Sequence, residues 1–191
     1  NKKEIMNLKV NLDVLVHLAG KVHVKPKNEK EKKDFYKINT EATKYLYDLA
    51  IKKNIKHFIF ISTISVYGNE FINAEEFDEC YPKTTYAKSK FYAEKEGLKL
   101  VNKNTLPLTI LRLATVYGNY DKGNYMKLIN YSHKGYIPII GEGKNKKAII
   151  YVKDVAKLIK EIIFNKKTFG KIYNVSENNY KYKNLISIIE N

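Results

Sequence analysis

Tyr86 and Lys90 stand four residues apart in the stretch "TTYAKSK", residues 84–90. On a helix, positions i and i+4 lie one above the other on the same face. A lysine ammonium near a phenol favours the phenolate and lowers a pKa that starts near ~10. A tyrosine tuned that way can exchange a proton with a substrate hydroxyl at neutral pH. The same spacing can also arise as surface noise, because the chain holds 16 tyrosines and 35 lysines and arginines. The elements around the pair have to decide between the two.

Those elements alternate. "DVLVHLAG" (13–20) is a short apolar run ending in small residues and predicts a buried strand. Residues 29–54 follow with Tyr36, Ala42, Tyr45, Leu46, Leu49 and Ala50 near helical spacing. "KHFIFIST" (56–63) predicts a second buried strand, residues 86–103 a second helix, and "LTILRLATVYG" (108–118) a third strand. Strands separated by helical crossovers imply a doubly wound parallel sheet covered by helices on both faces. After Gly118 the pieces shorten. A helix around "NYMKLINYSHK" precedes two short strands in "YIPIIGEGKNKKAIIYV". Asp154 is expected to cap the helix "VAKLIKEIIF", and "KIYNVS" is expected to be a last strand. The domain reading is therefore 1–118 for the doubly wound part. Residues 119–191 would form mostly a smaller lobe, with a strand and a helix returning to the main domain.

In such a sheet ligands sit at the carboxyl ends of the strands. There the sequence places "HLAGK", "STISVYG" and "RLATVYG". Small and hydroxylic residues at all three ends suit a backbone passing close to a flat ligand. At any single end they would equally suit a crossover helix packing closely. The Tyr86–Lys90 pair follows the second of these ends, which favours the working pair.

Composition excludes other classes. An apolar fraction of 44% with 29% charged residues is that of a globular chain, and its 191 residues suffice to bury a core. A single cysteine, Cys80, rules out an internal disulfide and suits a reducing, cytoplasmic setting. No apolar run approaches the roughly 20 residues that cross a bilayer, so no membrane partner is expected. The net charge of +15 raises nucleic acid as a partner. Yet Arg112 is the only arginine and the lysines are spread evenly, so no nucleic-acid partner is expected.

Five segments in order, "DVLVHLAG", "INTEAT", "FISTISVYG", "YAKSK" with the following "AEK", and "LRLATVYG", resemble the extended short-chain dehydrogenase/reductases. This is the family of nucleotide-sugar epimerases and dehydratases. A sixth segment, "GEGKNKKAIIYVKDVA", resembles its Gly-x-Gly loop and the strand and helix beyond. The resemblance implies a Rossmann-like fold, NAD as cofactor (with NADP open) and a nucleotide-sugar substrate. It also allows a homodimer of the full-length protein. It implies Tyr86 as catalytic base, Lys90 as a second catalytic residue that also holds the nicotinamide ribose, and Thr63 bonding the reacting oxygen. Ser62 lies beside Thr63 at the strand end and would count among the cofactor-binding residues. Leu18, Ala19 and Gly20 would line the cofactor, with Asn39 steadying the strand ends beneath it. Leu113 and Ala114 would sit against the nicotinamide and Thr115 would face the sugar nucleotide. Lys147 falls where many relatives place an arginine for the diphosphate; an ordinary exposed loop lysine is the equal alternative. No metal site is implied.

The departures carry information too. The family opens with a glycine-rich strand-turn-helix that cradles the pyrophosphate, and none precedes "DVLVHLAG". The chain reads as the middle and late portion of a longer protein, ending at "LISIIEN". The strand 13–20 is then expected at a sheet edge, with weak NAD binding and with association through the exposed edge. Ala42 stands where a glycine is more usual. The family's dehydratases place Asp-Glu directly after the catalytic Thr, whereas here those places hold Ile64 and Ser65. Dehydration is disfavoured, which leaves epimerisation at C4 through a transient ketone or simple carbonyl reduction. A truncated, non-catalytic binding protein is the rival from another class.

Overall fold

The computed structural model describes residues 11–22, 24–68, 73–119, 131 and 146–181. In chain order the elements are β1 (Val14–His17), α1 (Glu29–Tyr36), a π-helical turn (Lys37–Glu41) and α2 (Ala42–Lys52). They continue with β2 (His57–Thr63), a 3-10 turn (Ile64–Tyr67), α3 (Thr85–Asn102), β3 (Leu108–Leu113) and β4 (Thr115–Tyr117). The last are β5 (Lys146–Tyr151), α4 (Val152–Ile162), a 3-10 turn (Lys166–Thr168), β6 (Ile172–Val175) and β7 (Asn178–Lys181). Described residues up to Arg112 and from Glu161 to Asn174 form one compact unit; those from Leu113 to Lys160 and from Val175 onward form a second.

The first unit is built on a sheet of order β1-β2-β3-β6. β1 runs parallel to β2, with Val14 opposite His57 and His17 opposite Phe60. Every residue of β2 and of β3 is buried, including the polar ones. That continuous burial is the mark of a parallel strand covered on both faces, where side chains of either parity meet a packed layer. β1 is only partly buried and is an edge among the described residues. The fold is a parallel, Rossmann-like α/β sheet with helical crossovers.

Packing fixes where α3 lies. Thr84 caps it, its side chain accepting from the Ala87 amide at 3.1 Å. The helix ends before Asn104, whose φ of 54° is the left-handed conformation that closes helices. Its buried positions, Ala87, Ser89, Lys90, Ala93, Glu94 and Gly97, recur at helical spacing and make one inward face. Beneath that face the core gathers Tyr47, Phe58, Phe60, Leu108 and Ile110, with the Tyr47 and Phe58 rings 4.9 Å apart. An aromatic pair at that separation adds to the burial of both rings.

Several sequence expectations change. The helix of residues 29–54 is interrupted by the π-helical turn at Lys37–Glu41. The single strand expected over 108–118 is two, broken at Ala114 and entering different sheets, because Ala114 bonds the Val175 carbonyl while β4 pairs with β5. Asp154 does not cap α4. The helix starts at Val152, which puts Asp154 inside the first turn, where its charge still suits the helix dipole. "KIYNVS" is not the last strand, since β7 follows and pairs antiparallel with β5 in a sheet of order β4-β5-β7. The helix expected around "NYMKLINYSHK" (all but Tyr131) and the first strand of "YIPIIGEGKNKKAIIYV" lie outside the described residues.

Candidate active site

Three residues stacked on α3 each hold one of three consecutive residues at the carboxyl end of β2. The Thr63 side chain lies where it acts on the Tyr86 phenol and favours its ionised form. One turn on, Lys90 Nζ donates to the Ile61 carbonyl at 2.8 Å. Another turn on, the Glu94 carboxylate accepts from the Ser62 hydroxyl. Residues 86, 90 and 94 share a helix face by their spacing, so the pair read from the sequence is the top of a triple row.

The electrostatics correct one expectation. The Tyr86 pKa is raised, not lowered: burial favours the neutral phenol, and the Thr63 hydrogen bond only partly opposes it. Lys90 exerts no lowering effect here because its ammonium is committed to the Ile61 carbonyl and lies over the Phe60 ring, 4.7 Å from the centroid. Burial instead lowers the Lys90 pKa to about 8, against the opposing charge of Glu94. Lys90 is thus protonated at neutral pH but close to its titration.

Thr63 is held from its own side. It caps the 3-10 turn, its Oγ1 accepting from the Ser65 amide at 3.2 Å and bonding the Ser65 hydroxyl at 3.2 Å. The turn closes at Gly68, whose φ of 87° and ψ of −159° strain any side chain. A Cβ there would also lie 2.6 Å from the Tyr81 carbonyl oxygen. The glycine of "STISVYG" is therefore required by the loop that ends the strand.

Asn39 is fully buried in the π-helical turn and uses all its side-chain polar groups inside the protein. Its Oδ1 accepts from the Lys21 amide at 2.7 Å, and its Nδ2 donates to the Lys21 carbonyl at 3.0 Å and to Ser89 Oγ at 2.9 Å. It therefore ties the loop after β1 to α3, as a π-turn at a functional site often does by re-aiming one side chain. Gly20 passes so close that a Cβ would come 3.2 Å from Asn39 Oδ1 and 3.4 Å from Lys90 Nζ. Leu18, Ala19 and Gly20 are exposed at the strand end, Leu18 at 62%. An exposed apolar side chain and bare backbone beside a buried ammonium could hold a flat ring.

His17, buried under this loop, was not singled out by the sequence. Its Nε2 lies 2.8 Å from Thr43 Oγ1, which gives its own proton to the Asn39 carbonyl at 2.7 Å, so Nε2 is the protonated ring nitrogen. Burial, with a smaller contribution from Lys90, lowers its pKa to about 4.

The Ser62 hydroxyl is directed into a buried ion pair. Arg112 Nη2 lies 2.7 Å from Glu94 Oε2, and Nε bonds both carboxylate oxygens at 3.2 Å. Arg112 Nη1 donates to the Tyr67 hydroxyl at 2.6 Å, which in turn bonds Asn174 Oδ1 at 2.9 Å. Hydrogen bonds and charge from Glu94 raise the Arg112 pKa despite the opposing effect of burial. The signal for this cluster was present: the only arginine of a lysine-rich chain, and a carboxylate one turn past Lys90.

Leu113, Ala114, Thr115 and Lys147 belong to the second unit. Leu113 and Ala114 are buried at the β3–β4 break, Thr115 is exposed at the start of β4, and Lys147 is exposed on β5, opposite Tyr180. Lys147 is thus a strand residue, not a loop residue. The Gly-x-Gly tip at 141–143 lies outside the described residues. Among the described residues no cluster of His, Cys, Asp or Glu could hold a metal ion, and no helix is long and apolar enough to cross a membrane.

The model of the NAD dependent epimerase/dehydratase family matches residues 2–176. A UDP-glucose 4-epimerase of Vibrio cholerae is 31% identical over 172 residues, 87% of this chain and 52% of that protein. A dTDP-D-glucose 4,6-dehydratase of Mus musculus is 30% identical over 173 residues, 87% of this chain and 48% of that protein. The chain thus spans about half the length of these curated relatives. The crystal structure of UDP-glucuronic acid 4-epimerase from Bacillus cereus, in complex with UDP-glucuronic acid and NAD, superposes with a TM-score of 0.85. It is 25% identical, with 98% of this chain and 61% of that one covered.

Proposed function

Because the chain belongs to the NAD dependent epimerase/dehydratase family, we propose that the whole protein interconverts a nucleotide sugar and its C4 epimer through a transient 4-keto sugar. The observation that carries this choice is the 3-10 turn after Thr63. Its residues Ile64, Ser65, Val66 and Tyr67 include no carboxylate, while a dehydratase of the family has Asp-Glu directly after that threonine. The buried carboxylate nearest in sequence to Lys90, that of Glu94, is fixed by Arg112 and Ser62 and is not free to remove water. The names of the relatives, and the UDP-glucuronic acid and NAD held by the Bacillus cereus enzyme, support a nucleotide-sugar substrate with NAD.

Each residue then has a stated task. NAD, when bound, supplies reversible hydride transfer at C4. Lys90 and the exposed backbone of Leu18, Ala19 and Gly20 would hold its nicotinamide ribose half, and Leu113 and Ala114 are assigned to the nicotinamide. Tyr86 Oη takes the proton of the C4 hydroxyl and later returns it, while Thr63 Oγ1 bonds the same oxygen. The raised phenol pKa means that Tyr86 begins neutral. Tyr86 must therefore first give its own phenolic proton to solvent, which Lys90 would favour by turning its charge toward the phenol when ligands bind. Asn39 holds the strand-end loop in place, and Ser62 acts behind Thr63. Thr115 and Lys147 are assigned to the sugar and the diphosphate, and a homodimer in a reducing, cytoplasmic setting is the proposed assembly.

The test is product analysis. The whole protein incubated with NAD and UDP-glucose, and followed by proton NMR, should form the C4 epimer with no net reduction of NAD. A 4-keto-6-deoxy sugar as product would replace epimerisation by dehydration. Tyr86→Phe should lower turnover by roughly 10²–10⁴-fold, the range for a lost general base.

A further inference from the structure

The triple row on α3 does more than place the catalytic pair. From the geometry we infer that Glu94, clamped by Arg112, is a positioning residue that fixes Thr63 against Tyr86 by gripping the strand end on both of its flanks. This rests on the proposed role of Tyr86 and Thr63 above.

The grip is two-sided. Before Thr63, the Ser62 hydroxyl donates to Glu94. After it, the Tyr67 hydroxyl accepts from Arg112 Nη1 at 2.6 Å, and the Arg112 guanidinium carbon lies 4.7 Å from the centre of the Tyr67 ring. Glu94 and Arg112 are joined by the 2.7 Å ion pair with exposures of 1% and 4% for the side chains, so neither can swing to another partner in water. Thr63 is therefore the middle of a span whose two ends are bolted to one rigid, charge-assisted pair. Arg112 comes from β3 and Glu94 from α3, so the pair also locks the helix bearing Tyr86 to the sheet bearing Thr63.

The same carboxylate acts on Lys90. It lies one turn beyond it on the same helix and raises a pKa that burial lowers. Among the described residues the charged or titratable groups that bear on Lys90 are Glu94 from α3, the neutral Tyr86 one turn before it, and His17 from β1, which is neutral above about pH 4. Glu94 is thus the anion that keeps the Lys90 ammonium charged in a buried place. A merely structural ion pair would have no such effect on the reaction.

Two variants of the whole protein separate the roles. Ser62→Ala removes one flank and should lower kcat about ten- to a hundredfold, as small misplacements of reacting groups do, with KM for NAD unchanged. The double variant Glu94→Gln with Arg112→Met removes both buried charges together, so no unpaired charge is left to unfold the protein. It should lower kcat similarly and move the alkaline limb of the pH profile to lower pH, since Lys90 loses its anion. Unchanged kcat in Ser62→Ala overturns the inference, whether or not the double variant folds. So does a double variant with wild-type kcat and alkaline limb. If Tyr86→Phe is fully active, the proposed function fails instead, and the two failures are thereby told apart.

Discussion

Lys90 Nζ lies 2.8 Å from the carbonyl oxygen of Ile61, two residues before Thr63. The ammonium is thereby kept inside the protein at 3% exposure of the residue, with one charge-assisted hydrogen bond and the face of Phe60 as compensation. Burial still prevails, and the pKa falls from 10.5 to about 8. The lysine is held ready at a cost to the stability of the fold.

Lys90→Met exposes that cost. A pKa lowered in the folded state means that the unfolded chain binds the proton more tightly. The penalty is complete below about pH 8 and is relieved as pH rises toward the unfolded value. Removing the charge recovers on the order of 3 kcal/mol, while losing the bond to Ile61 costs ~1–3 kcal/mol. The variant should therefore melt within a few degrees of wild type while turnover drops roughly 10²–10⁴-fold with the lost proton chemistry. Denaturation at pH 7 and pH 10 adds a check: wild type should gain stability relative to the variant on the way up. A variant that fails to fold at pH 7 would mean that the lysine is structural.

Gly68→Ala tests the loop that presents Thr63. The position combines a φ of 87° with a ψ of −159°, a region open in practice to glycine alone, and has the Tyr81 carbonyl 2.6 Å from the site of a Cβ. Strain of this kind costs about 1–3 kcal/mol. It would be relieved by moving the 3-10 turn that Thr63 caps, so thermal melting and turnover should fall together. Full activity with wild-type melting would show that the turn is not rigid.

How much of this could be read beforehand follows from what one sequence can encode locally. The strands β2 and β3 were legible because buried parallel strands are continuous apolar runs, and the pair Tyr86–Lys90 was legible because helical spacing puts them on one face. The break at Ala114 was not, since "LRLATVYG" has no proline or glycine before its end. The two halves separate only because each finds a different partner strand. The orientation of Lys90 toward Ile61, and with it the raised phenol pKa of Tyr86, depends on tertiary packing that spacing does not contain. Glu94 and Arg112 are far apart in sequence, and their pairing follows only from the docking of α3 on β3. Asn39 was singled out in the sequence, but its complete internal hydrogen bonding comes from the π-helical turn, which no residue pattern announces.

The last prediction concerns acid. His17 and His57 are both buried and neutral, each with a pKa lowered to about 4, chiefly by burial. His57 is fixed as firmly as His17: its Nδ1 accepts from the Phe164 amide at 3.2 Å, so Nε2 donates to Thr109 Oγ1 at 2.8 Å. Thr109 in turn donates to Thr168, which leaves no room for a second ring proton without breaking a bond. Between the unfolded value of 6.5 and about 4, the unfolded chain binds protons that the folded one refuses. Stability must therefore fall as pH is lowered through that window, by up to ~1.4 kcal/mol per pH unit for each histidine and ~2.7 for both. Urea denaturation between pH 6.5 and 5 reads the histidines above the range where carboxylates titrate. His57→Gln, whose amide can donate to Thr109 and accept from Phe164, should roughly halve the slope. An unchanged slope in both His57→Gln and His17→Gln would place the acid sensitivity elsewhere in the molecule.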